Sequence, residues 1–177
     1  MISFKSTQLN VRSYQNQDEQ NVINLILKIQ REEFDIDITV DDQPDLKSIP
    51  SFYQNGIGGF WVATIDDNVV GTIALKDIGN GRGALRKMFV DASVRGTAHG
   101  IAAFLLRRLL DDSIPRGAKR LYLGTTEKFV AAHRFYEREG FEKIEETDLP
   151  TSFPRMIVDT RFYELNLTKR NKFAGIE

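Results

Sequence analysis

The chain has 177 residues and a net charge of −1. That length fits one domain with a core of its own, and so even a charge balance gives no reason to expect nucleic-acid binding. With no cysteine and only His99 and His133, neither a disulfide framework, a thiol nucleophile nor a structural zinc site is expected.

Leu9 to Tyr14 reads as a first strand, and Asp18 to Glu33 as a helix with Val22, Leu25, Ile26 and Ile29 on one face. An acidic stretch follows: Glu32, Glu33, Asp35, Asp37, Asp41, Asp42 and Asp45. Such runs are most often solvated faces. Pro44 opens a short second helix ending near Asn55. Gly58 to Ile65 reads as a buried strand with Trp61 in the core, and Val69 to Leu75 as its hairpin partner across the turn Asp66-Asp67-Asn68. A further turn, Gly79 to Gly83, leads into the strand Ala84 to Val90.

Strand and helix then alternate. A helix runs from about Ala98 to Ser113, a strand from Arg120 to Thr125, a helix from Lys128 to Glu139 and a strand from Phe141 to Glu145. A loop with Pro150 and Pro154 precedes a last strand, Met156 to Leu167, and Thr168 to Glu177 reads as a frayed tail. An antiparallel first half followed by βαβ units predicts an α/β (α+β) fold, a mixed sheet with helices on both faces. The whole chain, 1–177, reads as a single domain with its core at about 8–167. The opening Met-Ile-Ser-Phe-Lys lacks the long apolar core of a signal peptide, and no apolar run approaches membrane-spanning length. A cytoplasmic protein with no membrane partner is the expectation.

Three stretches bear on chemistry. Gly79-Asn80-Gly81-Arg82-Gly83-Ala84 formally matches a dinucleotide fingerprint, but that motif needs a helix directly after it and a strand follows here. It reads as a hairpin turn. No Gly-Lys-Ser or Gly-Lys-Thr of a Walker loop occurs.

The second stretch runs from Met88-Phe89-Val90 through Arg95-Gly96-Thr97-Ala98-His99-Gly100 to Ile101. It is a strand end, a loop of small residues and a helix start. Unpartnered amides and the helix dipole at such a start favour an anion, and small side chains let it approach. It reads either as a pyrophosphate cradle or as a loop kept small for packing. The third stretch is Phe129 to Phe141, a helix stopped by Gly140, with Phe129, Ala132, His133 and Tyr136 on one face. A phenol, with a pKa of about 10, is matched to protonating a departing thiolate. The alternative for Tyr136 is a packed aromatic.

Taken together, the second and third stretches resemble motifs of the GNAT superfamily of N-acetyltransferases. Arg95 and Gly100 match the family's phosphate loop, and Ala98 stands where it usually has Gly. Phe135-Tyr136-Glu137-Arg138-Glu139-Gly140-Phe141 matches its Phe-Tyr…Gly-Phe segment, with Phe129 in place of a frequent Asn. The resemblance is firm from about Gly58 to Phe141. It implies a mostly antiparallel sheet of about seven strands, in the order strand, two helices, three strands, helix, strand, helix, two strands. It also implies acetyl-CoA as cosubstrate, no metal, and transfer of the acetyl group to a primary amine by direct attack in a ternary complex. Met88, Phe89 and Val90 would flank the pantetheine, and Arg95, Gly96, Thr97, Ala98, His99, Gly100 and Ile101 would hold the pyrophosphate. Phe129, Ala132 and His133 would line the groove, the Val90 amide would serve as oxyanion donor, and Tyr136 would protonate the sulfur.

The general base is open, because Ala84 stands where many relatives carry Glu. A water relay, His133, an acid from the Asp35–Asp45 stretch or no dedicated base at all are the alternatives. The acidic stretch would lie on the substrate side and attract a cationic amine. A homodimer, common in the family, stays open. So does a rival reading of the same fold as an acetyl-CoA sensor without turnover, on the strength of Ala84, Ala98 and Phe129. An unrelated nucleotide-binding fold is a weaker third reading.

Overall fold

The computed structural model describes residues 8–96 and 100–170. Seven strands form one sheet: β1 Leu9–Ser13, β2 Gly59–Ile65, β3 Asn68–Gly79, β4 Arg82–Val90, β5 Arg120–Thr125, β6 Glu142–Ile144 and β7 Arg161–Asn166. Their order is β1-β2-β3-β4-β5-β7-β6. Every pairing is antiparallel except that of β4 with β5. Among the described residues the helices are α1 Glu19–Lys28, α2 Ile49–Tyr53, α3 Ile101–Ser113, α4 Val130–Arg138 and the single turn α5 Leu167–Arg170.

The alternation of β2 explains why the sheet is covered on both sides. Trp61 and Ala63 join a core with Leu105, Leu106 and Leu109 of α3 and Tyr136 of α4. Phe60 and Val62 join a second core with Val22, Ile23 and Ile26 of α1 and Ile49 and Tyr53 of α2. A strand buried on both faces reads as a continuous apolar run, which is how Gly59 to Ile65 reads. Trp61 is core, as expected, and its indole N–H donates to Asp112 at 2.7 Å.

The Gly79–Gly83 stretch is the hairpin turn that the sequence predicts. Gly79 pairs with Arg82, and Asn80 and Gly81 between them take φ of 57° and 72°, the turn whose twist suits a tight hairpin. Other boundaries shift. The first helix tightens and then widens: α1 ends at Lys28 and continues as one π-helical turn, Ile29–Glu33. The second helical segment splits into a 3-10 turn at Pro44–Lys47 and α2. The expected strand from Met156 starts only at Arg161, because Met156 to Val158 form an exposed turn. Thr168 lies in α5 rather than in a tail; 171–177 are outside the described residues.

Candidate functional site

β4 and β5 lie side by side only at their beginnings. The pairs are Arg82 with Arg120, Gly83 with Leu121 and Ala84 with Tyr122, and none follow. Beyond them β4 stays on β3 while β5 stays on β7 as far as Thr125. The centre of the sheet therefore opens into a wedge.

The rim of the wedge on β4 is irregular. Thr72 pairs with Phe89 and Ala74 with Arg86, so two residues, Lys87 and Met88, oppose the single Ile73. Lys87 has a φ of 52°, uncommon for a residue with a side chain, and such bulges re-aim a strand. The Lys87 carbonyl accepts the Thr72 hydroxyl at 2.7 Å. Past the bulge the Asp91 amide bonds the Val70 carbonyl of β3. Residues alternate along a strand, so the N–H and C=O of Val90 face the opposite way, into the wedge.

The Val90 carbonyl takes Arg95, whose Nη2 lies 2.7 Å away. The same guanidinium grips Glu33 with two bonds of 2.6 and 2.9 Å. That contact holds the Glu33 carboxyl below its usual range. Phe34, next along, lies against Phe129 with ring centroids 4.5 Å apart. The π-turn after α1 and the residue that follows it thus reach across to both the loop after β4 and the start of α4.

The loop ends on Gly100, at φ 64°, and α3 starts at Ile101 rather than near Ala98. The Gly100 amide bonds the Gly96 carbonyl. The amides of Ile101, Ala102 and Ala103 lie in the first turn of α3 and have no backbone partner among the described residues. A Cβ on Gly96 would meet nothing within 4 Å, and one on Gly100 only the Phe104 ring at 3.5 Å. Thr97, Ala98 and His99 lie outside the described residues.

On the α4 side of the wedge, Tyr136 is 7% exposed, its ring 5.5 Å from Phe141 and 6.0 Å from Tyr163. Burial, with Tyr163 adding to it, raises its pKa and keeps the phenol protonated. Among the described residues no hydrogen bond reaches its hydroxyl. His133, by contrast, is engaged: Nε2 lies 2.8 Å from the Thr126 carbonyl. A carbonyl only accepts, so Nε2 carries the proton and the ring ties the β5–α4 loop to the helix. This gives His133 a structural task. Ala132 packs on the first core.

The other face of the wedge belongs to the second core, beside which lies Asp45 of the acidic stretch that the sequence offers as a source of a base. Met88 and Val90 pack on the first core; Phe89 packs on the second. Lys87 reaches inward to Gln43 at 2.7 Å and Asp45 at 3.5 Å, and Tyr53 donates to Asp45 at 2.5 Å. Burial pulls the Lys87 pKa down while Asp45 opposes it. Asp45 is thereby committed, as are Glu33 to Arg95 and Asp42 to Thr39 at 2.8 Å. Three of the acidic residues expected to draw in a cationic amine are engaged within the protein.

Arg86 is not engaged in this way. Its guanidinium lies 5.8 Å from the Phe52 centroid and makes no ion pair or hydrogen bond among the described residues. Across the wedge is Asp159, in the loop before β7 and 7% exposed. A Cβ on Gly124 of β5 would stand 2.5 Å from Asp159 Oδ2, so only a glycine admits the carboxylate there. Neither residue carries a signal in the sequence, since Asp159 sits in what reads as a strand.

Comparison with known proteins bears on this geometry. Residues 23–141 match the model of the acetyltransferase (GNAT) family. An acetyltransferase of that family from Staphylococcus aureus Mu50, of solved structure, is 42% identical, with a TM-score of 0.84 over 90% of this chain and 99% of that one. N-acetylaspartate synthetase of Danio rerio is 36% identical over 106 residues, 59% of this chain. The chain spans 37% of that protein's length. N-acetylglutamate synthase from Neisseria gonorrhoeae, complexed with coenzyme A and N-acetyl-glutamate, shares the fold, at 17% identity and a TM-score of 0.69 over 92% of this chain and 36% of that one.

Proposed function

The chain belongs to the GNAT family of acetyltransferases, and from that premise we propose that it moves the acetyl group of acetyl-CoA onto the amino group of a small amino acid. The observation that carries this reading is the wedge: β4 and β5 part after three pairs and expose strand backbone at the centre of the sheet. An extended arm of amides, as in pantetheine, satisfies such a strand edge. The amides of the first turn of α3 and the dipole of that helix suit a pyrophosphate at the end of that edge. Arg95, Gly96 and Gly100 shape the approach, with Thr97, Ala98 and His99 between them. The names of the relatives, an N-acetylaspartate synthetase and an N-acetylglutamate synthase, favour an amino acid as acceptor.

Acetyl-CoA supplies an activated thioester carbon to a neutral amine. The chain's own groups do the rest. The Val90 amide, turned into the wedge, donates to the oxygen that gains charge. Tyr136 keeps its proton through burial and gives it to the sulfur. Residues 1–177 act as one domain in this reading, the two cores sharing one sheet. No helix among the described residues is long and apolar enough to cross a membrane.

The test is a panel of amines and amino acids incubated with acetyl-CoA and read by mass spectrometry. An acetylated amino acid formed in proportion to enzyme is expected. If acetyl-CoA binds and no member of the panel gains an acetyl group, the fold serves as a sensor of acetyl-CoA instead. The residue Ala84, where many relatives carry a base, is what favours that second reading.

A further inference from the structure

Building on the proposed acetyl transfer, we propose that Arg86 and Asp159 form the acceptor site: Arg86 binds a carboxylate of the incoming amino acid, and Asp159 takes the proton from its ammonium group. Two observations place both residues on one face of the sheet. Arg86 lies on the α2 side of β4, over Phe52, and pairs across β3 with Ala74 of the second core. Gly124 alternates with Leu123 of the first core, so the Asp159 carboxylate seated on it lies on that same α2 side. The two residues thus flank the wedge just where β4 and β5 have parted. They are within electrostatic reach of one another.

The charge pattern points to an anion. Lys76, Arg86 and Lys87 crowd this face, with Lys76 4.2 Å from the Phe52 centroid. Lys76 is bound to the Phe52 carbonyl at 3.1 Å and Lys87 to Gln43 and Asp45. Among the described residues Arg86 alone of the three makes no hydrogen bond. A guanidinium left without a partner beside an aromatic ring is a carboxylate fork in waiting. A simple amine would leave it idle.

Asp159 has the complementary geometry. Its Oδ2 accepts the Met156 amide at 3.0 Å, and nothing among the described residues donates to Oδ1. The charged groups around it are Arg86 from β4 and Arg155 from its own loop, and Arg155 is paired with Glu146 at 2.7 Å. Burial raises its pKa while the Met156 amide, Arg155 and Arg86 oppose the rise. A carboxylate raised toward neutrality is a better base than a surface aspartate. It also supplies, from the loop before β7, what Ala84 does not supply from β4.

The protons balance. Asp159 takes one proton from the ammonium, the nitrogen lone pair bonds the thioester carbon, and the carbon–sulfur bond breaks. Tyr136 gives its proton to sulfur and is replenished by the second proton lost from nitrogen. The proton on Asp159 returns to water, so one proton is released per acetyl group moved.

The test pairs L-amino acids, including aspartate and glutamate, with their carboxamides. The free acids should be preferred by at least about tenfold in kcat/KM, and Arg86→Gln should erase that preference. Because Arg86 makes no hydrogen bond among the described residues, the melting temperature of that variant should stay put. Asp159→Asn should lower kcat by about 10²–10⁴-fold and remove the acid limb of the pH–rate profile, with Asp159→Glu restoring part of both. Carboxamides used as well as acids, or an Arg86→Gln loss equal for both, would overturn the carboxylate site while acetyl transfer stood. An unchanged acid limb in Asp159→Asn would overturn the base. If no amine is acetylated, the parent reading falls, and the acceptor site with it.

Discussion

At the scale of residues, Tyr136 separates chemistry from packing. Its ring fills the first core against Phe141 and Tyr163, but its hydroxyl holds no partner among the described residues. Tyr136→Phe should therefore leave the melting temperature and the affinity for acetyl-CoA within a few-fold of the original, while kcat falls by about 10²–10⁴-fold. A parallel loss of rate and binding, measured by steady-state kinetics and calorimetry, would mark a packing role. Gly100 separates the same two things in the loop. At φ 64° any other residue is strained, although space exists beside Phe104. Gly100→Ala should cost about 1 kcal/mol in a denaturant melt even without ligand, so a loss of acetyl-CoA binding must be judged against that baseline.

At the scale of elements, β1 is tied to α1 by one charged contact. Asp18 accepts both ends of the Arg12 guanidinium at 2.7 and 2.8 Å and also the Gln15 amide at 2.8 Å. Burial works against the ionised carboxyl, but the bonds from Arg12 and Gln15 prevail and its pKa lies below the ordinary 3.8. A carboxyl with a lowered folded pKa adds stability that is complete above the unfolded value and disappears as pH falls through the folded one. Asp18→Ala should cost about 2 kcal/mol at pH 7, and its deficit against the original should shrink below about pH 4 in urea melts. A deficit independent of pH would mean that Asp18 acts through shape alone.

Elements with long apolar periods were legible in the sequence. Arg120–Thr125 falls where the pattern puts it, and so does the order of strands and helices. The boundaries that moved did so for local reasons. Met156-Ile157-Val158 has the composition of a strand, but the Asp159 carboxylate binds the Met156 amide and turns the chain, leaving Ile157 96% exposed. The bulge at Lys87 has no signature at all, since nothing in Arg-Lys-Met says that a lysine will take positive φ. Tyr136 and the 95–100 loop stand out as candidates because their spacing along one helix or loop is itself the signal. Arg86 and Asp159 do not stand out, because only the seating of Asp159 on Gly124 of another strand brings it to the face that Arg86 occupies.

At the scale of the whole molecule, the sheet is held shut by two cores and opens at one place. β4 and β5 are neighbours in the sheet, yet they pair over only three residues each, while every other ladder except the short one of β6 pairs over at least five. The π-turn after α1 spans the open end through Glu33 and Phe34, which touch Arg95 and Phe129. The account places the thioester in that opening, so the amides of β4 should report it. Hydrogen exchange followed by residue-resolved NMR, with and without coenzyme A, measures this directly. Coenzyme A should slow exchange at Val90 and at Ile101 to Ala103 and leave β1 and β2 as they were. Binding that protects another face of the sheet, with Val90 unchanged, would contradict the account.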